Sequence, residues 1–248
     1  MYFLITLLSL PLLSLAEKAI VGGSQVAITD FPYQATLRMN NAFHCGAVIL
    51  SPHYIATAAH CVVGAATWRL AVRAGSESTQ SGGVVVNASS VTVHPDYDDA
   101  KLNPDIAIVA LAQDLTYSET IQPLPLPKMG YTGPATGDEV LVSGWGALTQ
   151  GGLASPMLQA VTVPVVEQGT CVAAYKDYSV HVLDEMFCAG VPEGGKDACR
   201  GDSGSPAVVD GVLVGLVSWG EGCAKAAYPG VYTRVSAVRE FILDVTGL

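Results

Sequence analysis

From residue 34 to residue 235 the chain is a succession of short β-forming runs broken by glycine, proline, asparagine or aspartate. The runs include residues 34–39, 68–74, 83–86, 91–94, 106–111, 139–143, 158–166, 212–218 and 231–235. Closely spaced strands with no helical pattern between them restrict the fold to an all-β sandwich or barrel. Helical spacing of apolar residues appears only at the end, in Val238-Arg239-Glu240-Phe241-Ile242-Leu243-Asp244-Val245, with Gly247 near a stop. Half of the 248 residues are hydrophobic and 14% are charged, so a sizeable core can form.

The first 16 residues read differently from the rest. Tyr2 to Leu15 is almost wholly apolar, and Ser14-Leu15-Ala16 supplies small residues around a cleavage point. This is the pattern of a secretory signal, although no Lys or Arg lies near Met1. The run is shorter than the roughly 20 residues that a membrane span needs. The expectation is a secreted, extracellular protein with no membrane segment. Its net charge of −10 argues against nucleic acid as a partner and favours weak attraction for basic substrates.

An oxidising compartment gives cysteines a structural use. There are six: Cys45, Cys61, Cys171, Cys188, Cys199 and Cys223. Six cysteines allow 15 pairings, and their spacing does not choose among them. The competing reading, a metal site, lacks a Cys-x-x-Cys pair and a second histidine at ligand spacing.

Chemistry is concentrated in residues 194–206, Gly-Gly-Lys-Asp-Ala-Cys-Arg-Gly-Asp-Ser-Gly-Ser-Pro. Ser203 sits among glycines, which let a ligand approach main-chain N–H groups closely. By itself such a serine reads as a turn. As a nucleophile it needs a base, and the base needs an orienting group. His60, in Thr57-Ala58-Ala59-His60-Cys61, follows an apolar run and is crowded by small residues. His94, before Pro95, reads as a turn residue, and His44, beside Cys45, is a weaker competitor. Asp105 immediately precedes the apolar run Ile106-Ala107-Ile108-Val109-Ala110-Leu111, where burial would demand a partner. Asp96, Asp98 and Asp99 belong to a polar loop.

In order, Ala58-Ala59-His60-Cys61, Asp105-Ile106-Ala107 and Gly201-Asp202-Ser203-Gly204 resemble the chymotrypsin-like serine peptidases. Ile20-Val21-Gly22-Gly23 resembles the mature amino terminus of that family, and Ser218-Trp219-Gly220 and Gly230-Val231-Tyr232 its substrate-binding strands. The resemblance runs from Ile20 to the carboxyl end and is nearest to the short, three-disulfide trypsins of microbes and invertebrates. It implies two antiparallel six-stranded β-barrels, of roughly residues 20–125 and 126–235, joined near residues 122–137. A C-terminal helix of roughly 236–246 would follow, with the active site in the cleft between the barrels. It implies the disulfides Cys45–Cys61, Cys171–Cys188 and Cys199–Cys223. Ser203 becomes the nucleophile, His60 the general base and Asp105 its orienter, with the N–H groups of Gly201 and Ser203 as the oxyanion hole. Asp197 would lie at the floor of a pocket walled by Ser218, Trp219, Gly220 and Gly230, where it pairs with substrate Arg or Lys.

The implied activity is a secreted endopeptidase cutting after Arg or Lys, monomeric, without cofactor or metal. Its partners would be protein or peptide substrates, proteinaceous inhibitors and an activating peptidase. Residues 17–19, Glu-Lys-Ala, would be a short pro-segment, and the amino terminus freed at Ile20 would pair with Asp202. Two readings compete: a non-catalytic secreted homologue that only binds, and a chymotrypsin-like preference for aromatic residues. The first would have lost a member of the triad, and Asp197 opposes the second.

Several positions depart from the family pattern. Ser205 stands where a second glycine is usual, and would strain the turn if φ there were positive. Arg200 would disfavour basic residues just after the scissile bond. The loop 74–80 lacks the acidic pattern of a calcium loop, and Pro229 replaces the tyrosine of sodium-activated relatives. Asn87-Ala88-Ser89 is a sequon for N-glycosylation whose occupancy the sequence leaves open.

Overall fold

The computed structural model describes residues 20–248. The expected signal sequence and pro-segment lie outside the described residues. The elements are β1 (Ser24–Gln25), β2 (Gln34–Met39), β3 (Ala42–Ile49), β4 (Tyr54–Thr57), β5 (Leu70–Ala74), β6 (Val84–Val93) and β7 (Ala107–Leu111). They continue with β8 (Glu139–Gly144), β9 (Gln159–Val166), α1 (Gln168–Ala174), β10 (Met186–Ala189), β11 (Pro206–Val209), β12 (Val212–Trp219), β13 (Gly230–Arg234) and α2 (Arg239–Thr246).

Two closed antiparallel barrels result. The first runs β2-β3-β4-β7-β6-β5, and the second runs β8-β9-β10-β13-β12-β11 and closes through the pairing of β8 with β9. Leu37, Ile49, Ile55, Val72, Val109 and Leu111 fill the first interior. Val140, Val142, Val163, Phe187, Val214 and Tyr232 fill the second, where the rings of Phe187 and Tyr232 stack at 5.2 Å.

The run at 106–111 does not alternate because both of its faces are covered. Ala107, Val109 and Leu111 point into the first barrel. Ile106 and Ile108 point into a seam shared with Leu213 and Leu216 of the second barrel and with Val238 and Ile242 near the carboxyl end. A strand buried on both sides reads as a continuous apolar run. The seam fixes the two barrels against each other and so fixes the cleft.

Three features differ from the sequence reading. Residues 20–25, grouped above with the first barrel, belong to the second: β1 pairs with β9, and Ile20 is fully buried in the second core. The C-terminal helix begins at Arg239, after a 3₁₀ turn over Val235–Val238, and ends where Gly247 takes φ +75°. Helix α1 was not foreseen. Its seven residues are too few to show a period; it is set instead by Glu167, whose carboxylate accepts from the N–H groups of Gly169 and Thr170. The bond Cys171–Cys188 ties it to β10. Cys45–Cys61 and Cys199–Cys223 are also closed. No helix among the described residues is long and apolar enough to cross a membrane.

Candidate active site

His60 lies in a 3₁₀ turn, Ala59–Cys61, directly after β4. Asp105 precedes β7, which pairs with β4, so strand register alone brings the two together. The Asp105 carboxylate is 1% exposed. One oxygen accepts from the His60 main-chain N–H at 3.0 Å; the other accepts from His60 Nδ1 at 2.8 Å and from the Ser218 hydroxyl at 2.5 Å. Nδ1–H is thereby the donor, and Nε2 is left with its lone pair and no hydrogen-bond partner among the described residues. Burial pulls the His60 pKa down, but the hydrogen bond and charge of Asp105, with Asp99 farther off, outweigh it, and the net shift is upward.

Ser203 is held in a tight turn ahead of β11. Asp202 N–H donates to Cys199 C=O and Ser205 N–H to Asp202 C=O, at 2.9 and 2.8 Å. The Ser203 carbonyl accepts from Gly46 of β3 at 2.9 Å, next to the disulfide that follows His60. Gly204 has φ +79°, and a Cβ there would lie 2.3 Å from the Thr57 hydroxyl oxygen. The turn therefore requires glycine at 204 and at Gly201, with φ +102°. The N–H groups of Gly201 and Ser203 have no acceptor among the described residues. Cys45, His60 and Cys61 form a cluster of metal-ligand types, but both sulfurs are spent in their own disulfide.

Ser203 opens onto a cavity of about 270 Å³ walled by Trp219, Gly220, Gly230 and Tyr232, with Asp197 in its lining. Asp197 is 5% exposed; one oxygen accepts from Ala224 N–H at 2.9 Å, and the other, Oδ1, has no partner among the described residues. Burial pushes its pKa up to about 7, against the pull of the Ala224 and Ala198 N–H groups. A Cβ at Gly230 would lie 2.6 Å from that free oxygen and block the approach to it. The site is thus a bound acid–histidine pair, an anchored serine between free N–H donors, and a pocket ending in a desolvated, half-paired carboxylate.

A family model described as Trypsin matches residues 20–242. The chain belongs to the trypsin family. Trypsin Blo t 3 of Blomia tropicalis is 46% identical over 223 residues, which cover 89% of this chain and 83% of that one. Trypsin 5G1 of Aedes aegypti is 42% identical over 92% of this chain and 85% of its own length. The vitellin-degrading protease of Bombyx mori is 39% identical over 94% and 88%. The protein is a trypsin-like serine endopeptidase, and its substrates are proteins.

Some site residues were invisible in the sequence. Ser218 lines the cavity as the resemblance implies, but the turn of its hydroxyl to Asp105 had no signal in the sequence. Thr233 donates to the Asp105 carbonyl at 2.9 Å and Thr57 to the Gly46 carbonyl at 2.8 Å. The expected strain at Ser205 is absent, because its φ is not positive. Its buried hydroxyl accepts from Gln34 Nε2 at 3.5 Å, and Gln34 Oε1 accepts from Ser143 Oγ at 2.6 Å. This polar link ties β2 of the first barrel to β8 and the nucleophile turn of this trypsin-family chain.

Proposed function

We propose that the protein is a secreted endopeptidase cleaving after Arg or Lys through an acyl-enzyme. Ser203 attacks the peptide carbonyl, His60 Nε2 takes its proton and returns it to the leaving amine, and Asp105 holds the imidazole and its cation. The N–H groups of Gly201 and Ser203 receive the oxyanion; such donors are typically worth about 3–4 kcal/mol each in the transition state. Arg200, exposed at the cavity rim, turns away basic residues after the scissile bond. The enzyme acts as a monomer and meets proteinaceous inhibitors at the same cleft.

The observation that carries the specificity is the unpartnered Asp197 oxygen in a cavity shared with Ser203. A guanidinium or ammonium entering there pairs a carboxylate that is otherwise buried at a cost, whereas an aromatic side chain leaves it unpaired. Kinetics on a peptide panel varied at the residue before the cut test this. Wild type should prefer Arg and Lys, and Asp197→Ser should lose roughly 10⁴ in kcat/KM on those peptides. An unchanged Arg and Lys preference in Asp197→Ser would move the determinant elsewhere.

Activation follows from the amino terminus. Removal of residues 1–16 as a signal and 17–19 as a pro-segment would leave Ile20 first. Its side chain is buried beside Ala198, and Val21 C=O accepts from Asp197 N–H at 3.1 Å, so this segment is already joined to the pocket floor. Asp202 is fully buried, accepting among the described residues only from Gly146 and Cys199 N–H, and burial pushes its pKa up to about 6. An ammonium at Ile20 supplies the missing cation.

A further inference from the structure

One exposed feature takes no part in the peptidase site. Trp68 is 82% exposed, on the 3₁₀ turn Thr67–Arg69 that leads into β5. The turn is clamped: Asn40 N–H donates to Arg69 C=O, and Arg69 Nε donates to Asn40 Oδ1, both at 2.9 Å. Asn40 and Asn41 themselves occupy left-handed turn positions, φ 52° and 65°. A rigid turn presenting a bare indole to water carries a large apolar area with no partner. Beside it lies a groove of about 350 Å³ lined by Trp68, Arg69, Asn40, Asn41 and Asn87.

Asn87 is the acceptor of the sequon Asn87-Ala88-Ser89. It is exposed on β6, opposite Ala71 of β5, and its side-chain amide has no hydrogen-bond partner among the described residues. One aromatic plate, one guanidinium with its remaining N–H groups and two turn asparagines offer what a pyranose presents: an apolar C–H face and a rim of hydroxyls. We propose that Asn87 carries an N-linked glycan whose first N-acetylglucosamine lies in this groove against Trp68. The bond forms between Asn87 Nδ2 and C1 of the sugar of a lipid-pyrophosphate-linked oligosaccharide. The C1–O bond to phosphate breaks, the lipid pyrophosphate leaves with the electron pair, and one amide proton passes to solvent. The sugar then shields an indole that would otherwise be a sticky patch on the first barrel.

This inference rests on export through a secretory pathway, which transfer of the oligosaccharide requires. The test uses the full chain carrying Ser203→Ala, which prevents self-digestion, expressed in a eukaryotic secretory host. Intact mass is compared with and without Asn87→Gln, and acrylamide quenching of tryptophan fluorescence is measured on each form. Trp145 is buried and Trp219 half-buried, so Trp68 dominates the quenching. The glycosylated protein, and the same protein trimmed to a single N-acetylglucosamine, should resist quenching, and Asn87→Gln should lose that protection. The sugar should also raise Tm by about 2 °C, a gain that Trp68→Ala abolishes. Protein in the medium without sugar mass at Asn87 would overturn the glycan and leave export standing. Retention in cells without the sugar would overturn both. A glycan that leaves quenching unchanged would overturn its seating on Trp68, and the groove would then belong to a partner protein.

Discussion

His60 and Asp197 are both shifted upward, for opposite reasons. His60 is raised because Asp105 stabilises its cation against the loss from burial. Activity should therefore fall on acidification beginning above the ordinary histidine value of 6.5, as the base is protonated. Asp197 is raised because it is buried, and no cation among the described residues pairs its charge. As pH falls through about 7 it takes up a proton, so KM for Arg and Lys peptides should rise, while reaction with a small uncharged phosphonate should follow His60 alone. Profiles of kcat and KM between pH 5 and 9 check both, and a KM flat across that range would contradict the role of Asp197. Ser203→Ala should lower kcat by about 10⁶, since members of such a triad act as a unit. Near-normal turnover in the pure, processed variant would remove Ser203 from the chemistry. The types and order of these residues were legible because the motifs are local. The supports were not: Ser218 and Thr233 reach Asp105 across more than a hundred residues, and a hydroxyl's direction is set by that packing.

At the level of elements, the nucleophile turn is held from both sides. Gly46 and Val217 fix its backbone by hydrogen bonds, and the Gln34–Ser143–Ser205 link fixes it to the first barrel. Gln34 is fully buried, so Gln34→Ala leaves two buried hydroxyls short of a partner and a cavity beside them. The expected cost is about 2–3 kcal/mol, read as a lowered urea midpoint with an unchanged slope. Restoring stability by the further change Ser205→Gly would support the polar link, and no loss in Gln34→Ala would contradict it. Strands at 34–39 and 139–143 were readable because β propensity and turn punctuation agree there. Strand β6 and helix α1 were less so. Two runs, 83–86 and 91–94, proved to be one strand, interrupted in pattern by Asn87 to Ser90 at a bulge opposite β7. The loop from residue 74 to 83 is laced by its own serine hydroxyls and by the guanidinium of Arg73, and Arg38 reaches it from β2, a contact that no local pattern announces.

Across the whole molecule, the amino terminus, the pocket floor and the nucleophile turn converge on the second barrel. Asp197 and Asp202 both hold protons in the folded chain that the unfolded chain releases near the ordinary value of 3.8. Through these two groups, stability of the precursor falls as pH rises from about 4 to about 7. On the proposed pairing, freeing Ile20 would give Asp202 a cation and remove its share of that loss. Thermal melts of the Ser203→Ala precursor and its processed form should diverge as pH rises from about 4 to about 6 and stay apart above that, the processed form being the more stable. Coincident curves would contradict the pairing. Because Ala19 separates Lys18 from Ile20, the enzyme's own cut should leave one residue too many, and a second peptidase must finish the job. Amino-terminal sequencing of active enzyme should read Ile-Val-Gly-Gly; clean release of Ile20 by the enzyme itself would overturn this. The proposed activity joins one nucleophile to one charged pocket, and a single labelling experiment reaches both. Processed enzyme is treated with an aryl phosphonate ester bearing an amidine in place of the arginine side chain, and the adduct is mapped by mass spectrometry. One adduct is expected, on Ser203, suppressed by benzamidine and slowed strongly by Asp197→Ser; no adduct, or one on any other residue, would overturn the assignment of the site.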